Sequence, residues 1–185
     1  MTRTRRLCAV VAAACAAVLA GCSSPAPISD TSPGDPLVRT WKEGERPTVP
    51  DLSGPSLEGD RVSLSDYRGK VVLINGWASY CPPCRAEAPE LNKIQKKYGA
   101  RGLRVLGLDN DGGRGAGLAF QKQYRLDYPS LHDPSGKQLL RLPRGVVTTQ
   151  GLPFTIVVDS SGKVAAVRMG AVTQARLAKI IEPLL

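Results

Sequence analysis

Residues 71–84 read Val71-Val72-Leu73-Ile74-Asn75-Gly76-Trp77-Ala78-Ser79-Tyr80-Cys81-Pro82-Pro83-Cys84. The opening four form an unbroken aliphatic run after the turn-like Arg68-Gly69-Lys70. Such a run, without polar alternation, predicts a central strand buried on both faces. Arg85 to Tyr98 predicts a helix with Leu91 and Ile94 on its apolar side, a kink at Pro89, and Gly99 just past its end. The two cysteines therefore stand where a strand passes into a helix, and that junction decides the fold.

The junction has chemical consequences. Cys81 falls just before the first helical turn, where free N–H groups and the helix dipole favour an anion. Its thiolate, the nucleophilic form, is thereby favoured. Cys84 follows about one turn later, within reach of Cys81 for a small disulfide ring. Pro82 suits the first helical position, where no intrahelical donor is lost. Pro83 removes a further N–H, so the thiolate is less stabilised than at a strongly oxidising site, and the pair leans towards a reductant. A zinc site would need four ligands, yet beyond this pair the domain has no cysteine and only His132. A purely structural disulfide is also disfavoured, because so small a loop constrains the unfolded chain little.

Further strands are expected at Leu103–Leu108, in Pro129–Pro134 as a short strand entering a turn, and in a hairpin formed by Ile156–Asp159 and Val164–Met169 about the turn Ser160-Ser161-Gly162-Lys163. Gly112–Gly117 reads as a flexible loop before a helix over Leu118–Tyr124, and Ala171–Leu185 as a closing helix. Asp109-Asn110-Asp111 suggests calcium, but the spaced ligands and distal Glu of an EF-hand loop are absent. The glycine-rich run fits neither nucleotide fingerprint.

Trp77-Ala78-Ser79-Tyr80-Cys81-Pro82-Pro83-Cys84 together with Gly151-Leu152-Pro153-Phe154-Thr155 resembles the thioredoxin fold, and more narrowly its membrane-anchored TlpA/ResA branch. Leu64-Ser65-Asp66-Tyr67-Arg68-Gly69-Lys70 resembles that branch's entry into its first core strand. The resemblance covers about Pro50 to the C-terminus. It implies an α/β domain with a mixed central β-sheet flanked by helices, preceded by a β-hairpin extension over about Leu52–Leu64. It implies that Cys81 is the nucleophile and Cys84 the resolving thiol. Pro153 is then a cis-proline facing the dithiol, with the Leu152 backbone pairing with an extended substrate. Tyr80, Trp77 and Leu152 are the expected substrate contacts. Where thioredoxins proper keep a buried Asp, this chain has Asn75, which cannot act as acid or base. The branch instead carries a Glu three residues past the second cysteine, matched by Glu87, expected to take a proton from Cys84 and raise the thiol pKa values. Read without the resemblance, Glu87 is a solvated helix residue beside Arg85. The sequence departs from the branch at Tyr80, where Trp is commoner, and at Gly76, where an aromatic is commoner.

The first six residues are basic, and Leu7–Ala20 is an apolar stretch of signal-peptide length, too short to span a bilayer comfortably. It ends in Leu19-Ala20-Gly21-Cys22, which resembles the bacterial lipobox, with Cys22 as the acylated first residue of the mature chain. A cleaved soluble product and an uncleaved anchor helix are the other readings, and both export the domain. The expected organisation is a lipoprotein signal peptide over 1–21, a flexible membrane tether over 22–48 rich in Pro, Ser, Gly and Asp, and a thioredoxin-like domain over 49–185. Trp41, the one large apolar residue of the tether, is expected against the domain edge or the membrane. Of the five cysteines, Cys8 and Cys15 lie in the leader.

The formal charge of +9 owes three units to Arg3, Arg5 and Arg6, and the two Phe, two Trp and five Tyr form no basic-aromatic run, so nucleic acid is excluded as the expected partner. The function expected is an extracytoplasmic thiol–disulfide oxidoreductase at the outer face of the cytoplasmic membrane, acting as a reductase with no cofactor beyond the redox-active Cys81–Cys84 disulfide. Its expected partners are a disulfide-bearing exported protein and a membrane thiol donor of CcdA type, with the chain itself a monomer. The resemblance suggests apocytochrome c, whose CxxCH thiols must be reduced, as the substrate. A disulfide-forming oxidase would run the same residues in reverse. A copper chaperone of the Sco type would use both cysteines and His132, but its cysteines are spaced CxxxC, and a cis-proline beside a dithiol tends to exclude metal, so no metal is expected.

Overall fold

The computed structural model describes residues 35–147 and 151–185. The expected leader, Cys22 and residues 23–34 of the expected tether lie outside the described residues. Strand β4 (Val71–Trp77) is buried at every position, as its unbroken apolar run requires. Its side chains alternate between two cores. Val71, Leu73 and Trp77 face one, with Ala88, Leu91 and Ile94 of helix α1 (Pro82–Tyr98) and Leu177 and Ile181 of helix α4 (Gln174–Ile181). Val72 and Ile74 face the other, with Val49, Leu52 and Leu142.

Around β4 stand β5 (Leu103–Asp109) and β6 (Ser130–His132), parallel to it in succession, and β7 (Phe154–Val158), antiparallel to it, which in turn pairs antiparallel with β8 (Val164–Met169). The sheet is completed by β1 (Val38–Thr40), giving the order β1-β8-β7-β4-β5-β6. This is the expected mixed sheet flanked by helices. The expected hairpin extension is also present, as β2 (Ser53–Pro55) and β3 (Arg61–Ser63), joined to the main sheet by a bridge between Ser56 and Leu131.

Two boundaries differ from the sequence reading. The tether was expected to run to residue 48, yet the chain joins the sheet by Val38, where Val38–Thr40 pairs with Ala166–Arg168. Asp35 accepts a 2.5 Å hydrogen bond from Arg168 Nη1, Trp41 packs against the second core, and Thr48 bridges Lys163. The partners lie more than a hundred residues away, so nothing in the polar local composition signals the strand. Helix α2 (Arg114–Tyr124) likewise starts inside the supposed glycine-rich loop. At Gly117 a Cβ would stand 2.7 Å from Leu57 and 2.9 Å from Asp109, so glycine there permits close packing of helix on sheet.

Gly76 is a second such contact. A Cβ at Gly76 would lie 2.2 Å from the ring of Phe154, its cross-strand neighbour, so the aromatic volume common at position 76 is supplied here from β7. Overpacking a core costs about 1–3 kcal/mol. Gly76→Ala is accordingly expected to lower the free energy of unfolding by that amount, read as a lower urea midpoint with an unchanged m-value.

Candidate active site

The site lies at the C-terminal end of β4, where the sheet's pairing ends and α1 begins. Cys81 is the N-cap of α1, and its sulfur accepts a 3.2 Å hydrogen bond from the Cys84 N–H. Because Pro82 and Pro83 carry no N–H, this is the first donor the helix offers. Cys81 and Cys84 are joined in a disulfide with Cα atoms 5.3 Å apart. Cys81 is 6 % exposed and Cys84 1 %, so Cys81 is the more accessible sulfur although less open than its expected role as attacker implies. Helix α1 continues through Pro89.

Leu152–Pro153 is a cis peptide. Phe154 pairs with Gly76 in the β4–β7 ladder, which sets Pro153 beside Trp77 at the sheet end that carries the dithiol. Leu152 is partly buried against both cores, and the first of these contains both cysteines. Tyr80, immediately before Cys81, is 69 % exposed and offers a flat aromatic surface to a partner. Trp77 corrects its expected substrate contact: it is 1 % exposed and stacked on Phe120 at a centroid separation of 4.4 Å. Strand parity explains this, because residue 77 shares the face of residues 71 and 73, which the helices cover.

Glu87 is not a solvated helix residue but a 1 % exposed one. Its Oε1 accepts from Asn75 Nδ2 at 2.8 Å and its Oε2 from the Val172 N–H at 3.0 Å. Asn75 lies on the helix-covered face of β4, and its amide also reaches the Phe154 carbonyl and Thr155 Oγ1 of β7. Burial pushes the Glu87 carboxyl up to about 8, against the lowering influence of the Asn75 and Val172 donors and of Arg168. A carboxyl poised there can exchange a proton near neutral pH with a thiol one helical turn away. Two further acids, first read as a poor calcium motif, also belong to the site. Asp111, 2 % exposed, accepts the Ser79 N–H at 3.1 and 3.0 Å and the Ser79 hydroxyl at 2.9 Å. Asp109, fully buried, accepts the Asp111 N–H at 3.1 Å and lies 2.7 Å from His132 Nδ1. Burial pushes Asp109 up to about 6. His132 thus faces a carboxylate and not the dithiol.

The profile of the AhpC/TSA family matches residues 46–167. The chain belongs to this thioredoxin-like family. A thiol-disulfide oxidoreductase ResA of Bacillus thuringiensis is 31 % identical over 137 residues, 72 % of this chain and 75 % of that protein. Among solved structures, a secreted thiol-disulfide isomerase from Corynebacterium glutamicum superposes with a TM-score of 0.76 at 34 % identity, covering 83 % of this chain and 95 % of that one. A DsbF homologue from Corynebacterium diphtheriae does so with a TM-score of 0.76 at 35 % identity, covering 83 % and 97 %. Together with the Cys81–Cys84 pair, these relatives make this family member a thiol–disulfide oxidoreductase.

The buried carboxyl has a measurable linkage. The native protein holds a proton on Glu87 that the unfolded chain releases between its ordinary value and about 8. Native stability therefore falls as pH rises through that window, by at most about 1.4 kcal/mol per pH unit. Urea denaturation of the oxidised protein between about pH 5 and pH 8.5 is expected to show this slope. Glu87→Gln is expected to flatten it above about pH 6, below which Asp109 contributes the same sign.

Proposed function

We propose that this oxidoreductase is a lipid-anchored reductase of disulfides in exported proteins, working at the outer face of the cytoplasmic membrane. The observation that carries the direction is the pairing of a single N–H on the Cys81 sulfur with a buried, proton-holding Glu87 one turn past Cys84. Sparse donors leave the reduced form only modestly stabilised, which makes its electrons easier to give away.

The cycle follows from these roles. The Cys81 thiolate attacks a substrate disulfide, forming a Cys81–substrate mixed disulfide and releasing the first substrate thiolate, which takes a proton from water. Glu87, in its ionised form, accepts the Cys84 proton, and the Cys84 thiolate attacks the Cys81 sulfur. The second substrate sulfur leaves as a thiolate and takes the proton that Glu87 accepted, so Glu87 returns to its ionised form, the substrate has gained two electrons, and Cys81–Cys84 is oxidised. A membrane thiol donor of CcdA type restores the dithiol. Tyr80 is the docking platform, and the Leu152 backbone before cis-Pro153 pairs with the extended substrate. The resemblance to the ResA branch supports apocytochrome c, with its CxxCH thiols, as that substrate. Export is supported by the basic and apolar leader, by Leu19-Ala20-Gly21-Cys22, and by the description of the C. glutamicum relative as secreted.

A second reading, disulfide formation or isomerisation, is favoured by the isomerase and DsbF descriptions of the two solved relatives. A glutathione or dithiothreitol titration separates the two. The reductase is expected to lie near thioredoxin, about −270 mV, whereas a value near about −120 mV would assign the chain to the oxidants. Metabolic acyl labelling of the full chain is expected to be lost in Cys22→Ala; labelling that persists would refute the anchor.

A further inference from the structure

We propose that Asp111 is a positioning residue for substrate docking, fixing through Ser79 the segment that presents Tyr80 beside Cys81. Three hydrogen bonds from Ser79 converge on one carboxylate, two from the N–H and one from the hydroxyl, at 2.9–3.1 Å. Bonds to a carboxylate are about twice as strong as neutral ones. Tyr80 is the single residue between this anchored Ser79 and the Cys81 N-cap, so both its backbone ends are held while its side chain stands 69 % exposed.

Asp111 is itself braced. Its N–H donates to Asp109, which faces His132 of β6, and the Asn110 N–H donates to the Trp77 carbonyl at 2.9 Å. The loop after β5 is thus tied to β4 on one side and to β6 on the other. Two buried acids so close repel and lose hydration. What a carboxylate adds is a simultaneous grip on the Ser79 backbone and hydroxyl, which removes motion from the Tyr80 platform before substrate arrives. A docking surface fixed in advance lowers the ordering cost of binding.

The inference rests on the docking role of Tyr80 and on exchange activity in either direction. Insulin disulfide reduction, with dithiothreitol as electron source, reads it. Asp111→Ala is expected to raise KM for insulin about tenfold and to change kcat by less than about threefold, since uniform binding and not chemistry is affected. Asp111→Asn, which keeps one acceptor oxygen, is expected to raise KM about threefold, and Ser79→Ala added to Asp111→Ala to raise it no further. Melting curves establish that each variant is folded, and Asp111→Asn carries the test if the alanine variant is not. An unchanged KM, or a fall in kcat alone that tracks a lowered Tm, overturns the proposal. Tyr80→Ala separates the two ideas. If it raises KM and the Asp111 variants do not, positioning fails and docking stands. If the Asp111 variants raise KM and Tyr80→Ala does not, docking on Tyr80 fails and the proposal that rests on it is overturned with it.

Discussion

A carboxyl group closed off from water, with both oxygens facing N–H donors, sits at the centre of this molecule. Glu87 receives one donor from Asn75, in the middle of the central strand, and one from Val172, at the entry to the last helix. Asn75 in turn binds β7 at the Phe154 carbonyl, next to cis-Pro153. Arg168, which lowers the Glu87 carboxyl from a distance, donates to the Ala171 carbonyl and pairs with Asp35 at the start of the described chain. Strand, helix, closing loop and N-terminal segment thus share one polar centre, and removing any donor would leave a buried acceptor unsatisfied.

The dithiol is held from two sides for different purposes. On the helix side, the role proposed for Glu87 is proton transfer at the resolving thiol. On the loop side, Asp111 and Asp109 have no donor reaching the sulfurs; they act on the backbone that leads into Cys81. The pair of prolines separates these influences by leaving Cys84 as the first N–H of the helix. The Cys81 sulfur thus receives one backbone donor, from Cys84.

Much of this was legible in the residues. The unbroken run at 71–74 and the CxxC at a strand end are local signals, and each led to the structure observed, whereas the cis bond at Pro153 was legible only through the resemblance, since a proline before a strand is ordinary. Glu87 was legible only through resemblance, because residue spacing alone also fits a solvated position beside Arg85. Two features were out of reach of any local reading. Strand β1 is made by pairing with residues far along the chain, whose identity no local window contains. Asp111 serves Ser79, which precedes it by 32 residues and stands on a different strand end. Trp77 was readable in principle: its parity with Val71 and Leu73 points it beneath the helices, but motif position suggested the surface.

The central claim is that a buried carboxyl controls the resolving thiol. Its most direct test is the thiolate absorbance titration of Cys84 in Cys81→Ser protein, with and without Glu87→Gln. An ionising neighbour opposes a second negative charge. The account predicts that Glu87→Gln lowers the Cys84 pKa and turns a broad, coupled titration into a single step. An unchanged Cys84 pKa, with the same curve shape in both proteins, would contradict it.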